Sequence, residues 1–142
     1  MAAVYRAAVE VTGALDYSPA QVRAWRDQGP DADRLRARMA DGRKAWVAID
    51  PQDRVVGFTD LEPDGHIDFL YVHPQAKGRG VAGALLDRLE AEARAAGLRR
   101  LFVEASEAAR RALLKRGYAV FARRDFEVEG TPIHNYAMEK RL

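Results

Sequence analysis

The sequence of 142 residues contains no cysteine. This absence excludes disulfides, catalytic thiolates and zinc sites built on thiolates. It has no apolar run of membrane-spanning length, and its first residues lack the charged-then-apolar order of a signal peptide. We therefore expect a cytoplasmic protein without a membrane partner, and the sequence predicts no metal site.

The chain also lacks a large net charge. Its 23 lysines and arginines are balanced by 21 acidic residues, which leaves a formal charge of +2. A surplus this small does not form the basic surface that nucleic acid requires, so nucleic acid is not an expected partner. There are no repeats or linkers, and 142 residues with 48% hydrophobic content suit one core. A single domain over residues 1–142 is predicted.

The order of secondary structure follows from periodicity, caps and turns. Helical spacing begins almost at Met1, a capping box at Ser18 starts a second helix, and a short polar helix ends near Gly42. Three antiparallel strands follow, in "KAWVAID", "RVVGFTDLE" and "HIDFLYVH". A helix over residues 80–96, a strand, a helix and a closing hairpin complete an α/β (α+β) pattern.

The stretch "GRGVAGALL" contains the letters GxGxxG before a helix. In a dinucleotide fold the first glycine ends a buried strand, whereas five residues, His73 to Lys77, separate Gly78 from the strand here. Dinucleotide binding is therefore the less favoured interpretation. Unpaired amides at a helix start still attract an anion, and the charges of Lys77 and Arg79 suit a pyrophosphate.

The segment "FLYVHPQAKGRGVAGALL" resembles the GNAT superfamily, the GCN5-related N-acetyltransferases. Lys77, Gly80 and Ala82 occupy the positions of its Gln/Arg–x–x–Gly–x–Gly/Ala motif. The resemblance continues through "VEAS" and "KRGY", and "DYSPAQVRAW" and "GTPIHNYAMEK" resemble a YafP-like bacterial subgroup.

This resemblance implies a GNAT fold, in which a mixed, mostly antiparallel twisted sheet is flanked by helices. It also implies acetyl-CoA as the donor and a primary amine of a small molecule or a protein as the acceptor. The amine would attack directly in a ternary complex, because the sequence offers no cysteine for an acetyl-enzyme. A non-catalytic acyl-CoA-binding or regulatory module is the alternative.

The resemblance also assigns site residues. The backbone of the central strand would bind the pantetheine and the thioester oxygen at Leu70, Tyr71 and Val72. The pyrophosphate would be held by Lys77, Gly78, Arg79, Gly80, Val81, Ala82 and Gly83. His66 falls where the histone-acetylating branch carries its glutamate base.

Strand alternation bears on the catalytic residues. It places His66, Asp68, Leu70 and Val72 on one face of the strand. His66 and Asp68 are therefore the candidate catalytic residues, with a role as base or amine anchor for Asp68. Glu104 and His134 are further candidates for acceptor contacts.

Three departures from the family pattern limit this assignment. Leu113 stands where many members carry a tyrosine that protonates the departing thiolate, and Glu107 stands where an asparagine often holds the pantetheine. The first family strand is missing, so we expect the true start to lie upstream of Met1. The unpaired sheet edge would then favour a homodimer, and restoring 10 to 15 codons would raise the melting temperature by roughly several degrees.

Overall fold

The computed structural model describes residues 1–142. The predicted N-terminal helix begins at Ala2, as α1, and it first widens and then tightens before it ends at Leu15. Its parts are α1 (Ala2–Ala7), a π-helical turn (Ala8–Thr12) and a 3₁₀ turn (Gly13–Leu15). The other helices are α2 (Pro19–Gln28), α3 (Ala32–Met39), α4 (Val81–Ala95) and α5 (Glu107–Leu114), and a 3₁₀ turn spans Pro74–Ala76. The predicted capping box is confirmed, because Ser18 and Gln21 exchange both hydrogen bonds at the start of α2.

Seven strands form a sheet that is split into two separately hydrogen-bonded halves. The strands are β1 (Lys44–Ile49), β2 (Val55–Leu61), β3 (His66–Ile67), β4 (Leu70–Val72), β5 (Arg100–Ala105), β6 (Ala119–Val128) and β7 (Thr131–Arg141). One half has the order β1-β2-β4 and the other β3-β5-β7-β6. Every pair is antiparallel except β3 with β5, so the chain lacks the parallel sheet of a dinucleotide-binding fold.

The prediction of one continuous third strand is wrong. The strand breaks at Asp68 and Phe69, where pairing passes from β5, the partner of His66 and Ile67, to β2, the partner of β4. Because of the break, Ile67 and Leu70 both pack on the side of α4 and α5, whereas Phe69 packs on the side of α1 to α3. The predicted alternation therefore fails after Asp68.

The sheet separates two hydrophobic cores. The core under α4 and α5 comprises Leu61, Ile67, Leu86, Leu89, Ala93, Leu101, Val103, Ala105, Leu113, Tyr118 and Met138. The core under α1 to α3 comprises Val4, Tyr5, Val9, Tyr17, Val22, Leu35, Phe58, Phe69 and Ile133. The split between β4 and β5 therefore lies in the layer between the two cores.

The outer edge of β1 has no strand partner. Val47 and Ile49 on this strand are 41% and 57% exposed, which is unusual for large apolar side chains. None of the helices combines the length and apolar composition that crossing a membrane requires.

Candidate active site

A cleft of about 880 Å³ runs from the start of α4 to the split in the sheet. One wall is β4, at Leu70, Tyr71 and Val72, and the opposite wall is α5. The β4 edge that faces β5 has no strand partner. Its backbone is therefore free to bind an extended ligand in place of a strand.

The glycine-rich loop closes the other end of the cleft. Gly78 and Gly80 have φ values of +79° and +78°, which side chains disfavour, and a Cβ atom at either would meet no protein atom within 4 Å. Gly80 is the N-cap of α4 and makes no side-chain capping bond, whereas side chains cap α2, α3 and α5. The first amides of α4 therefore remain available to an anion.

Most of the predicted loop residues line this cleft. They are Lys77, Gly78, Gly80, Val81, Ala82 and Gly83. Arg79 instead lines a smaller cavity of about 440 Å³, which also contains His73 and Arg54. Three more basic residues line the cleft on α5 and the turn after it, Arg111, Lys115 and Arg116. Arg111 is paired with Asp16, which also lines the cleft, and Arg116 is paired with Asp87, so the charge of Lys115 is the one that adds to that of Lys77.

His66 lies between two carboxylates. Its Nδ1 is 2.9 Å from Glu62 Oε1, and its Nε2 is 3.0 Å from Glu104 Oε2. Hydrogen bonding to Glu104 and then to Glu62 raises the pKa of His66 to about 9, although burial works in the opposite direction. The ring also stacks on Phe102 at 5.0 Å. His66 is therefore a charged imidazolium at neutral pH in the absence of ligands.

Asp68 does not contact His66, although the strand pattern suggested a shared environment. Its carboxylate binds Arg43 Nη1 at 2.9 Å and Arg38 Nη1 at 3.4 Å. Arg43 also binds Asp60 at 2.6 Å and Asp41 at 2.8 Å, and its side chain is only 6% exposed. The carboxylates that raise the pKa of His66 are thus Glu104 and Glu62.

Two residues of α5, Leu113 and Glu107, depart from the family pattern, and the structure shows what each contacts. Leu113 is completely buried in the core, and Leu114, which is 44% exposed, lines the cleft in its place. Glu107 turns away to bind His134 Nε2 at 2.8 Å and Tyr136 Oη at 2.7 Å. Burial opposes ionisation of Glu107, but bonds from Tyr136, His134 and Arg110 lower its pKa to about 2. This carboxylate is committed to protein partners.

Tyr17 and Ser106 were not assigned to the cleft from the sequence. Tyr17 lines the cleft, and its Oη accepts the amide of Glu107 and donates to the carbonyl of His134. Ser106 also lines it and caps α5. Tyr17 and Glu107 are 90 positions apart, so only the folded chain joins them.

A split sheet edge, an uncapped helix start and the lysines Lys77 and Lys115 define an acyl-CoA type of cleft. Residues 14–140 match the acetyltransferase (GNAT) domain family. The chain therefore belongs to the GNAT family of acetyltransferases, as the sequence predicted, and the fold class is likewise confirmed.

Relatives support this membership. The chain is 32% identical over 141 residues to the uncharacterized N-acetyltransferase YafP of Escherichia coli strain K12, a match covering 97% of this chain and 85% of YafP. A GCN5-related N-acetyltransferase from Rhodopseudomonas palustris is 39% identical, with a TM-score of 0.88 and coverage of 99% and 87%. The PaiA N-acetyltransferase of Thermoplasma acidophilum, solved with coenzyme A, shares the fold at 18% identity and a TM-score of 0.75, with coverage of 99% and 90%.

Proposed function

We propose that this chain transfers the acetyl group of acetyl-CoA to a primary amine by direct attack of the amine in a ternary complex. The observation that carries the proposal is the single cleft that joins an uncapped helix start to an unpaired strand edge. The chemistry matches two neighbouring parts of acetyl-CoA, because the pyrophosphate needs amide donors and the pantetheine needs an extended backbone partner.

The residues that would hold the donor follow from this arrangement. The amides at the start of α4 and the charge of Lys77 would bind the pyrophosphate, with Gly78 and Gly80 leaving space for it. The β4 backbone at residues 70–72 would bind the pantetheine and stabilise the negative charge that develops on the thioester oxygen. Acetyl-CoA supplies the activated acyl group and the thiolate leaving group.

The proton would pass to His66. The acceptor arrives as an ammonium ion and must become a neutral amine before it attacks. Neutral His66 has one N–H and donates to only one of the two carboxylates, Glu104 or Glu62, so its other ring nitrogen can accept the proton. His66 does not line the cleft, so the proton would reach it through water. Because its pKa is about 9, catalysis through His66 should increase as the pH rises towards 9. Asp68 remains a predicted catalytic residue, although its ion pair with Arg43 supports a structural role.

The experiment that tests the proposal combines binding and turnover. Acetyl-CoA at 100 times its Kd should stabilise the fold by about 2.7 kcal/mol, whereas NAD at the same concentration should not. Thiol release with a library of primary amines then detects transfer. His66→Ala should lower kcat by about 10²- to 10⁴-fold and leave the thermal shift with CoA intact.

Two outcomes would redirect the proposal. Binding of CoA without thiol release from any amine would favour the non-catalytic acyl-CoA-binding module, which the apolar side chain of Leu114 at the cleft supports. A thermal shift with NAD and none with CoA would contradict an acetyltransferase. The acceptor is proposed as a small-molecule or protein amine, and the use of acetyl-CoA favours the bacterial cytoplasm as the place of action.

A further inference from the structure

The strand break at Asp68 and Phe69 creates a local deficit of hydrogen bonds. The two residues belong neither to β3 nor to β4, so their amides have no partner in a strand ladder. Both amides donate to one atom, Asp60 Oδ1, at 3.0 Å and 2.8 Å. The neighbouring Thr59 donates its hydroxyl to the carbonyl of Phe69 at 2.8 Å. Side chains of β2 thus replace the backbone ladder at the break.

Asp60 is an unusual residue at this position. It is fully buried, and burial raises its pKa even though it accepts the amide of Phe69 and a bond from Arg43. Its second oxygen, Oδ2, binds Arg43 Nη1 at 2.6 Å. A strand residue at a core position is ordinarily apolar, so the hydrogen bonds of this buried carboxylate must explain its presence.

The break has a direct effect on the cleft. Before it, residues 66–67 pair with β5, and after it, residues 70–72 pair with β2, so the sheet opens between β4 and β5. If residues 66–72 formed one continuous strand, β4 would pair with β5 as β3 does. The β4 edge that is now free would then be occupied. The cleft therefore depends on what holds the break.

We propose that Asp60 is a positioning residue that keeps the sheet open for the donor, by accepting both amides of the break while Arg43 balances its charge. This inference rests on the proposed function, since it assigns the open edge of β4 to acetyl-CoA. Asp60 itself does not line the cleft, so it acts through the backbone of residues 68–72.

The test compares Asp60→Ala with Asp60→Asn by calorimetric titration with CoA. Asparagine keeps Oδ1 as an acceptor for both amides, whereas alanine leaves them unpaired in the interior. We expect Asp60→Ala to weaken CoA binding at least about tenfold, and Asp60→Asn to keep the affinity within about threefold. The KM for acetyl-CoA should rise in Asp60→Ala while the KM for the acceptor stays unchanged.

Two controls separate this role from general stability. Asp41→Asn removes another carboxylate from Arg43 without touching the amides of the break, and Leu89→Ala destabilises the core away from the cleft. Both should bind CoA like the unaltered protein. If Asp60→Ala does not fold, Thr59→Val provides a milder test, because it removes only the bond to Phe69 and should weaken CoA binding by about threefold or more.

The outcomes are distinct. Equal CoA affinity in Asp60→Ala and in the unaltered protein would overturn the positioning role while leaving the acetyltransferase proposal in place. Equal weakening in Asp60→Asn and Asp60→Ala would also overturn it, because the charge and not the amide acceptor would then matter. Failure of the unaltered protein to bind CoA would instead contradict the proposed function.

Discussion

Replacing Glu104 with glutamine should speed the reaction at pH 7, although it removes a charged residue beside the proposed base. The hydrogen bond to Glu104 is the largest cause of the raised pKa of His66. Glutamine keeps a polar side chain of the same length but removes the negative charge. The pKa of His66 should therefore fall from about 9 towards its ordinary value.

The magnitude follows from the neutral fraction of His66. With a pKa of about 9, roughly one molecule in a hundred carries neutral His66 at pH 7. Each unit by which the pKa falls raises that fraction about tenfold until neutral His66 predominates. The pKa of His66 should not fall all the way to 6.5, because Glu62 still contacts Nδ1 in the variant. In addition, the Glu104 side chain is 38% exposed, so solvent screens its charge and limits the effect of removing it.

The assay is kcat/KM for the acceptor against pH, with acetyl-CoA saturating. The ammonium group of the acceptor also loses a proton at high pH, but that ionisation is identical in both proteins. Only the part of the profile due to His66 should move to lower pH in Glu104→Gln, and Glu62→Gln should move it less. At the highest pH the variant should be no faster than the unaltered protein, because a weaker base accepts the proton less readily.

Two independent measurements check the same pKa. An NMR titration follows the three histidines, and the signal of His66 is the one missing from His66→Ala. Because the folded pKa is raised, the stability due to the carboxylate pairs is fully present below about 6.5 and is lost as the pH rises through about 9. A pH profile that is the same in Glu104→Gln and in the unaltered protein would refute the assignment of His66 as the base.

Two further predictions concern the glycine loop and the free sheet edge. Gly80→Val should abolish the thermal shift with CoA, because the side chain would enter the space proposed for the pyrophosphate and the φ of +78° disfavours it; an unchanged shift would show that the loop does not bind the donor. If β1 pairs with a second copy through its open edge, Val47→Lys should reduce the dimer fraction in sedimentation equilibrium, and an unchanged fraction would place any dimer contact elsewhere.

Local chemistry in the sequence was sufficient for the helices and for the glycine-rich loop at the cleft. The capping box at Ser18 and the helix start at Gly80 depend on residues within one turn, so their patterns carry the information directly. Most of the predicted loop residues do line the cleft, since a loop of a few residues cannot scatter them. Arg79 is the exception, because consecutive side chains at a turn point in different directions.

The partners of the charged residues were decided by the tertiary structure. Alternation along the strand predicted that His66 and Asp68 lie side by side. In the structure Asp68 binds Arg43, and His66 contacts Glu104, which lies 38 positions away in the sequence. The break itself depends on Asp60 from the neighbouring strand, so no pattern within residues 66–73 could reveal it. Periodicity and capping act over a few residues, whereas the geometry of a buried charge is set by whatever group the fold brings within 3 to 4 Å of it.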